Sequence, residues 1–290
     1  MLNNLSWFFF AVLSAVFTGV TTVLEKKQTN VQHSLEFSSV HSIITVIMSI
    51  PLLLFLSPIN LKTVALTFVA SLFGTIAFWF WIKSLRRGDL STVSPLINLN
   101  PAILAILAYF VLGESLSSPQ LGGVMLIIIG SYILESRAHE NMLDPFRKML
   151  KSDYAHFVIL SAILYAISSL FDKIILDQTT PITYLILVQI FISINFMFLI
   201  SFRYKNGLKP VINAMKSWRS ISLISLFTLL GRIAYMFAAS LSFISLAVPV
   251  KRMSSLFTVI IGGTSFKEKN IDRKIIATIV MLIGIYLIIA

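Results

Sequence analysis

The sequence predicts an all-α, polytopic membrane protein whose ten transmembrane helices form two inverted five-helix repeats. Composition is the first reason. Hydrophobic residues make up 57% of the 290 and charged residues only 12%, at a mean hydropathy of +0.90. A water-soluble domain of that length needs far more polar surface to cover its core. Segmentation is the second reason, since the apolar residues gather into ten stretches of about 20, the helical length that crosses a bilayer. The third is that the chain contains itself twice.

The duplication is read directly from the residues. Leu13-Ser14-Ala15 through Glu25-Lys26 reappears as Leu160-Ser161-Ala162 through Asp172-Lys173. Gly74, Ile76, Ala77, Phe78 and Phe80 recur as Gly231, Ile233, Ala234, Tyr235 and Phe237. Glu114, Gly130 and Tyr132 return as Glu268, Gly284 and Tyr286 at the same spacing. A unit with an odd number of spans must sit upside down relative to its twin. That arrangement is characteristic of secondary transporters, whose substrate site lies near the midplane between the copies.

The segments run at about 5–24, 36–56, 62–84, 91–112, 119–135, 154–176, 182–202, 219–242, 247–265 and 272–290. Helices are required because the stretches are long and lack period-two alternation. The first stretch ends in Glu25-Lys26-Lys27 instead of a small-residue cleavage site, so it reads as a span and not as a signal peptide. Pro51, Pro95, Pro101 and Pro249 are expected to kink or start helices. The expected division is a first repeat over 1–137, a central cytoplasmic loop over 138–152 and a second repeat over 153–290. Within the loop, Asp144-Pro145-Phe146-Arg147-Lys148 suits a short surface helix.

Charge placement gives the orientation. With Arg232, Lys251 and Arg252 set aside as lying deep within segments, Lys62 and Lys173 are the cations on one side, and the remaining Lys and Arg lie in or beside the loops that follow the odd-numbered spans. The positive-inside rule puts those odd loops in the cytoplasm and both termini outside. The same placement accounts for the net charge of +11 without a nucleic-acid partner. Cysteine is absent, which excludes disulfides and thiolate chemistry. His33, His41, His139 and His156 lack metal-ligand spacing, and no Walker-type glycine loop occurs. No catalytic residue, metal or cofactor is therefore expected.

Leu112-Gly113-Glu114-Ser115-Leu116, followed by Leu121-Gly122-Gly123 and Gly130, resembles the repeat of the drug/metabolite transporter superfamily, specifically its EamA-type members. Phe266-Lys267-Glu268-Lys269 followed by Gly284 resembles the second copy. The resemblance implies a five-plus-five carrier of small metabolites working by alternating access. It also implies cytoplasmic termini, which the charge pattern reverses; the charge pattern is followed here.

Arg232 is the sharpest candidate, a charge near the middle of the eighth segment among Gly231, Ala234, Ala238 and Ala239. At that depth it costs at least ~2.5–3.5 kcal/mol, so it should face the protein interior or a water-filled cavity. Its two readings are an anion-binding group for substrate and an arginine held by carbonyls or an acid. Lys251 and Arg252 follow Pro249 at the expected outer start of the ninth segment, where a helix N-terminus would reinforce anion binding. The alternative there is snorkelling to the headgroups.

Glu25 and Asp172 hold equivalent places in the two copies and read either as gates on opposite sides or as ordinary interfacial charges, which contribute little. Glu25 would pair with Lys83, Arg86 or Arg87, and Asp172 with Lys251 or Arg252. Asn98 and Trp79 complete the expected substrate-binding set, the alternatives being interhelical glue for the asparagine and a lipid-interface place for the tryptophan. Asn98 and Asn100 are too close in sequence to share one face of an unbroken helix. Ala11, Ala15 and Gly19 form a small-residue stripe whose default meaning is close helix packing.

The function expected is non-ATP transport of a small polar or anionic metabolite across the plasma membrane. The alternative is a lipid-handling or sensory membrane protein; an enzyme is not expected. The partners are a small-molecule substrate and membrane lipid, with homodimerisation left open.

Overall fold

The structure is a computed structural model describing residues 2–88, 93, 96–135, 155–204, 209–266 and 271–289. The expected surface helix at 144–148, Glu268 and Pro95 lie outside the described residues.

Among the described residues the helices group into ten spans. The first repeat comprises Leu2–Thr29, Ser34–Ser49 with its 3-10 continuation Ile50–Phe55, Leu61–Arg87, Asn100–Leu112 preceded by a helical stub, and Ser118–Glu135. The second comprises Ala155–Leu176, Pro181–Arg203, Trp218–Leu241, the pair Ile244–Lys251 and Ser254–Phe266, and Ile271–Ile289. Polar side chains mark where these helices start and stop. Asn60 Oδ1 accepts from the Thr63 N–H at 2.7 Å, and Thr180 caps the start of the seventh span just before Pro181. Pro51 coincides with the change of the second span from α to 3-10 winding, because proline has no N–H for the α ladder.

Two spans are broken midway, each close to a proline expected to kink or start a helix. In the fourth, Asn98 and Leu99 form a turn, with Leu99 N–H donating to Leu96 O, before helix resumes at Asn100. In the ninth, the helix ends at Lys251, two residues after the donor-less Pro249, and the ladder tightens to i→i−3 bonds at Met253, Ser255 and Leu256. Asn98 precedes Glu114 by the same distance that Arg252 precedes Glu268. The two breaks are therefore copies of one feature.

The copies interleave. The first span packs chiefly against the eighth, the third against the sixth, and the fifth against the tenth. Paired hydrogen bonds record the exchange: Ser14 Oγ donates to Gly231 O and Ser161 Oγ to Ala77 O, each at 2.8 Å and each across the repeats. Gly231 permits the first contact, since a Cβ there would meet the Phe17 Cβ at 3.2 Å. The expected stripe behaves similarly: Ala11 and Ala15 are buried, and a Cβ on Gly19 would lie 2.6 Å from Phe257 Cβ in the ninth span.

The Gly113-Glu114 motif also acquires a physical role. Gly113 ends the fourth span in the left-handed region, at φ 68°, which a side chain would disfavour. The turn delivers Glu114 to the start of the ninth span. Its carboxylate accepts the Ile244 N–H at 2.8 Å, the Ser245 N–H at 3.0 Å and the Ser245 hydroxyl. A buried carboxylate thus satisfies backbone donors that a helix start leaves unpaired.

The fifth and tenth spans meet backbone to backbone. A Cβ on Gly123 would lie 2.5 Å from Gly284 O, and one on Gly284 would lie 2.7 Å from Gly123 O. Neighbouring Gly122 has room, its nearest atom being the flexible Leu287 Cδ1 at 3.8 Å. Gly123→Ala should therefore lower stability by about 1–3 kcal/mol through overpacking, whereas Gly122→Ala should stay within ~0.5 kcal/mol of the parent. Thermal unfolding of the purified variants checks this, and matched melts would remove the seam as a source of stability.

Candidate functional site

A cavity of about 190 Å³ lies where the interleaved copies meet. The first, third and fourth spans of one repeat line it together with the sixth, seventh, eighth and ninth of the other. Both mid-span breaks open onto it, so Asn98, Asn100, Lys251 and Arg252 all contribute. Asn98 and Asn100 share the lining because the chain turns between them, which frees them from the spacing of a continuous helix.

Three cations and two carboxylates face this space. Arg232 projects from the eighth span, and its Nη1 donates to Gln189 Oε1 on the seventh. That partner is a neutral amide, which orients the guanidinium without cancelling its charge. Arg252 Nη2 donates to Asn100 Oδ1 at 3.2 Å, and Asn100 Nδ2 in turn donates to Ala162 O at 3.0 Å. The chain of bonds ties the ninth-span break to the fourth and the fourth to the sixth span. Lys251 Nζ lies 4.0 Å from the Tyr235 ring centroid, a cation–π contact.

The carboxylates stand toward opposite ends of the cavity, as inversion requires. Glu25 is 4% exposed and accepts from Trp81 Nε1 at 3.1 Å. Asp172 is 7% exposed and accepts from two hydroxyls, Tyr184 OH and, at 3.1 Å, Tyr235 OH. The lysines that follow them turn away to cap helix ends. Lys26 Nζ donates to Leu85 O at 2.6 Å and Gly88 O at 3.0 Å, and Lys173 Nζ to Ala239 O at 3.3 Å.

Several expectations need correcting on this geometry. Lys251 and Arg252 sit at the mid-span break and not at the outer start of the ninth span, which begins earlier, at Ile244. The helix N-terminus expected beside them is not available as an anion site, because the N–H groups of Arg252, Met253, Ser255 and Leu256 already bond to carbonyls. Trp79 is absent from the cavity and lines a separate crevice with Lys83, Arg86 and Arg87; Trp81, two residues on, takes the place expected of it. Residues two apart on a helix point about 200° from each other. The same rotation puts Lys83 on the far side from Trp81, so Glu25 bonds to an indole instead of the expected cation. Asp172 likewise bonds to two tyrosines, with Lys251 packed on the second of them.

Gln189, Tyr184 and Tyr235 were not singled out in the sequence. Gln189 carried a signal, being a lone amide within Leu185–Ile192. Tyr235 carried another, one helical turn beyond Arg232.

Residues 5–136 and 154–290 each match the EamA-like transporter family, one match per repeat. The chain belongs to the EamA-like transporter family. It is accordingly a multi-pass membrane protein and a transporter of the drug/metabolite type. A solved crystal structure, described simply as "Crystal structure of protein", superposes on this EamA-like transporter with a TM-score of 0.71 over 98% of this chain and 96% of its own. Its sequence identity is 12%, so the likeness is one of fold alone. No curated protein matches the transporter by sequence.

The arrangement makes Asp172 and Lys251 energetically coupled through Tyr235. Removing one member of a buried charge pair leaves the other uncompensated, and coupling of about 0.5–3 kcal/mol is usual for groups in one network. Asp172→Asn and Lys251→Gln should each destabilise the purified protein, and the double variant should recover part of the loss. Strictly additive losses in chemical unfolding would show that the two groups act independently.

Proposed function

We propose that this transporter carries a small polar or anionic metabolite across the plasma membrane by alternating access, without ATP. The observation that carries this reading is the convergence of Arg232, Lys251 and Arg252 on one small cavity between inverted repeats. A substrate carboxylate or phosphate entering there meets a surplus of positive charge over Glu25 and Asp172. Arg232 is held by Gln189 in a pose that leaves donors for a second, anionic partner. With no substrate bound, Glu25 and Asp172 temper the repulsion among the three cations.

The two mid-span breaks supply the moving parts. A broken helix needs fewer hydrogen bonds severed to bend, and each break bears a cavity residue, Asn98 or Arg252. Rocking one copy against the other would therefore reshape the site as it changes sides. Glu25 and Asp172 near opposite ends would then serve as the two gates.

Transport per folded molecule in proteoliposomes, measured beside a thermal melt, tests the binding role. Arg232→Lys should keep charge but lose the planar fork, giving roughly a tenfold loss of transport, about 1.4 kcal/mol. Arg232→Gln should nearly abolish it with the melt largely intact. Wild-type rates in Arg232→Gln would sink the assignment. A metabolite screen by thermal stabilisation would identify the substrate class by linkage, and anionic compounds should dominate the hits.

Orientation belongs to the same proposal. Because the loop cations collect after the odd-numbered spans, a reporter fused after Ala290 should register outside the cytoplasm. A cytoplasmic signal would restore the orientation that the family resemblance implied.

A further inference from the structure

We infer that the protein has a second anion site, separate from the transport cavity, which binds a phosphate group at the membrane surface and is filled by an anionic phospholipid headgroup. The site is a crevice of about 180 Å³ lined by His33, Ser34, Trp79, Lys83, Arg86, Arg87 and Arg203. It forms where the end of the third span, the end of the seventh and the turn between the first and second converge. Four cations from two helices thus share one small space.

Cations after an odd-numbered span satisfy topology wherever they point, so their number alone carries nothing. What matters is that these side chains are collected and held. Lys83 Nζ sits 3.8 Å from the Phe157 ring centroid and 5.5 Å from that of Trp79, and the Arg87 guanidinium lies 5.7 Å from Phe157. The aromatic faces fix the direction of the charges without neutralising them. Trp79 adds a buried Nε1–H that has no partner among the described residues. Such a donor is costly to leave unmet, and an acceptor in the crevice would meet it.

Among the described residues the acid facing His33 is Glu36, which accepts from Tyr204 OH at 3.3 Å; the same hydroxyl lies 3.3 Å from His33 Nδ1. Burial first, and then the Arg86 guanidinium, hold the His33 imidazole below its ordinary range. Arg203 and Lys83 push the same way, against Glu36. The crevice is therefore felt as positive by its own lining, and a multi-oxygen anion suits it.

Lipid is favoured over free phosphate because an apolar surface adjoins the charges. Phe198 and Phe202, one turn apart just before Arg203, stack on each other and are 70% and 87% exposed. Exposed aromatics there provide a wall for acyl chains directly beside a headgroup site.

The test uses the full chain in phosphatidylcholine nanodiscs, read by thermal unfolding. Doping with phosphatidylglycerol should raise the melting temperature by several degrees, saturably. Arg203→Gln and Lys83→Gln should each raise the half-saturating lipid fraction roughly fivefold. Arg219→Gln, a cation beside Trp218 outside the crevice, should leave it unchanged. A parallel arm adds inorganic phosphate to undoped nanodiscs. A shift with phosphate that equals the lipid's and is lost in the same variants would support the site with free phosphate as its ligand. Equal weakening by Arg219→Gln, or no dependence on Arg203 and Lys83 in either arm, would overturn it.

Discussion

The structure depends on the exchange of partners between its two copies. Lipid supplies no hydrophobic drive for helices to associate, so packing and hydrogen bonding must hold the bundle together. Here those contacts run mostly between repeats: first span to eighth, third to sixth, fifth to tenth. Ser14 and Ser161 each donate to a carbonyl of the opposite copy, and Gly123 and Gly284 bring two backbones into contact. Neither copy has a complete set of neighbours of its own. The cavity follows from this, since a space bounded by interleaved copies is necessarily shared by both.

Burial of charge is the second constraint, and it explains the polar groups around the cavity. Arg232 is tolerable within the membrane because Gln189 receives one donor and the cavity accommodates the rest. Asp172 is tolerable because two phenols solvate it, and Lys251 because it lies on one of those rings. Each charge is stabilised by a neutral, polarisable neighbour. The charges are thus fixed in place while remaining electrostatically available, which is what a site for a charged solute needs.

The sequence made the helical class, the spans and the duplication legible, since hydropathy is set by length and composition while repetition survives as aligned small residues and charges. Arg232 was legible for the same reason: a charge in an apolar segment has few places to go. What escaped was direction. Trp79 and Trp81 are indistinguishable in a hydropathy pattern, yet helical rotation sends one to the cavity and the other to the surface crevice. Pro249 did not decide between a start and a break in the ninth span, because proline is equally at home at a helix start and at an interruption. Of the tyrosines around Asp172, Tyr184 comes from the start of the next span and Tyr235 from the eighth, and no local spacing announces their meeting on one carboxylate.

The clasp at Glu114 joins the far end of the fourth span to the near end of the ninth. Each of these spans is divided in the middle, so the clasp connects the outer segment of one jointed rod to that of another. A carboxylate gripping two amides and a hydroxyl resists both shear and rotation. On that face of the membrane the two rods are tied into a single linkage, so any tilt beginning at Asn98 would reach Arg252 through the frame as well as through the cavity. The degrees of freedom open to the carrier are fewer than its count of helices suggests.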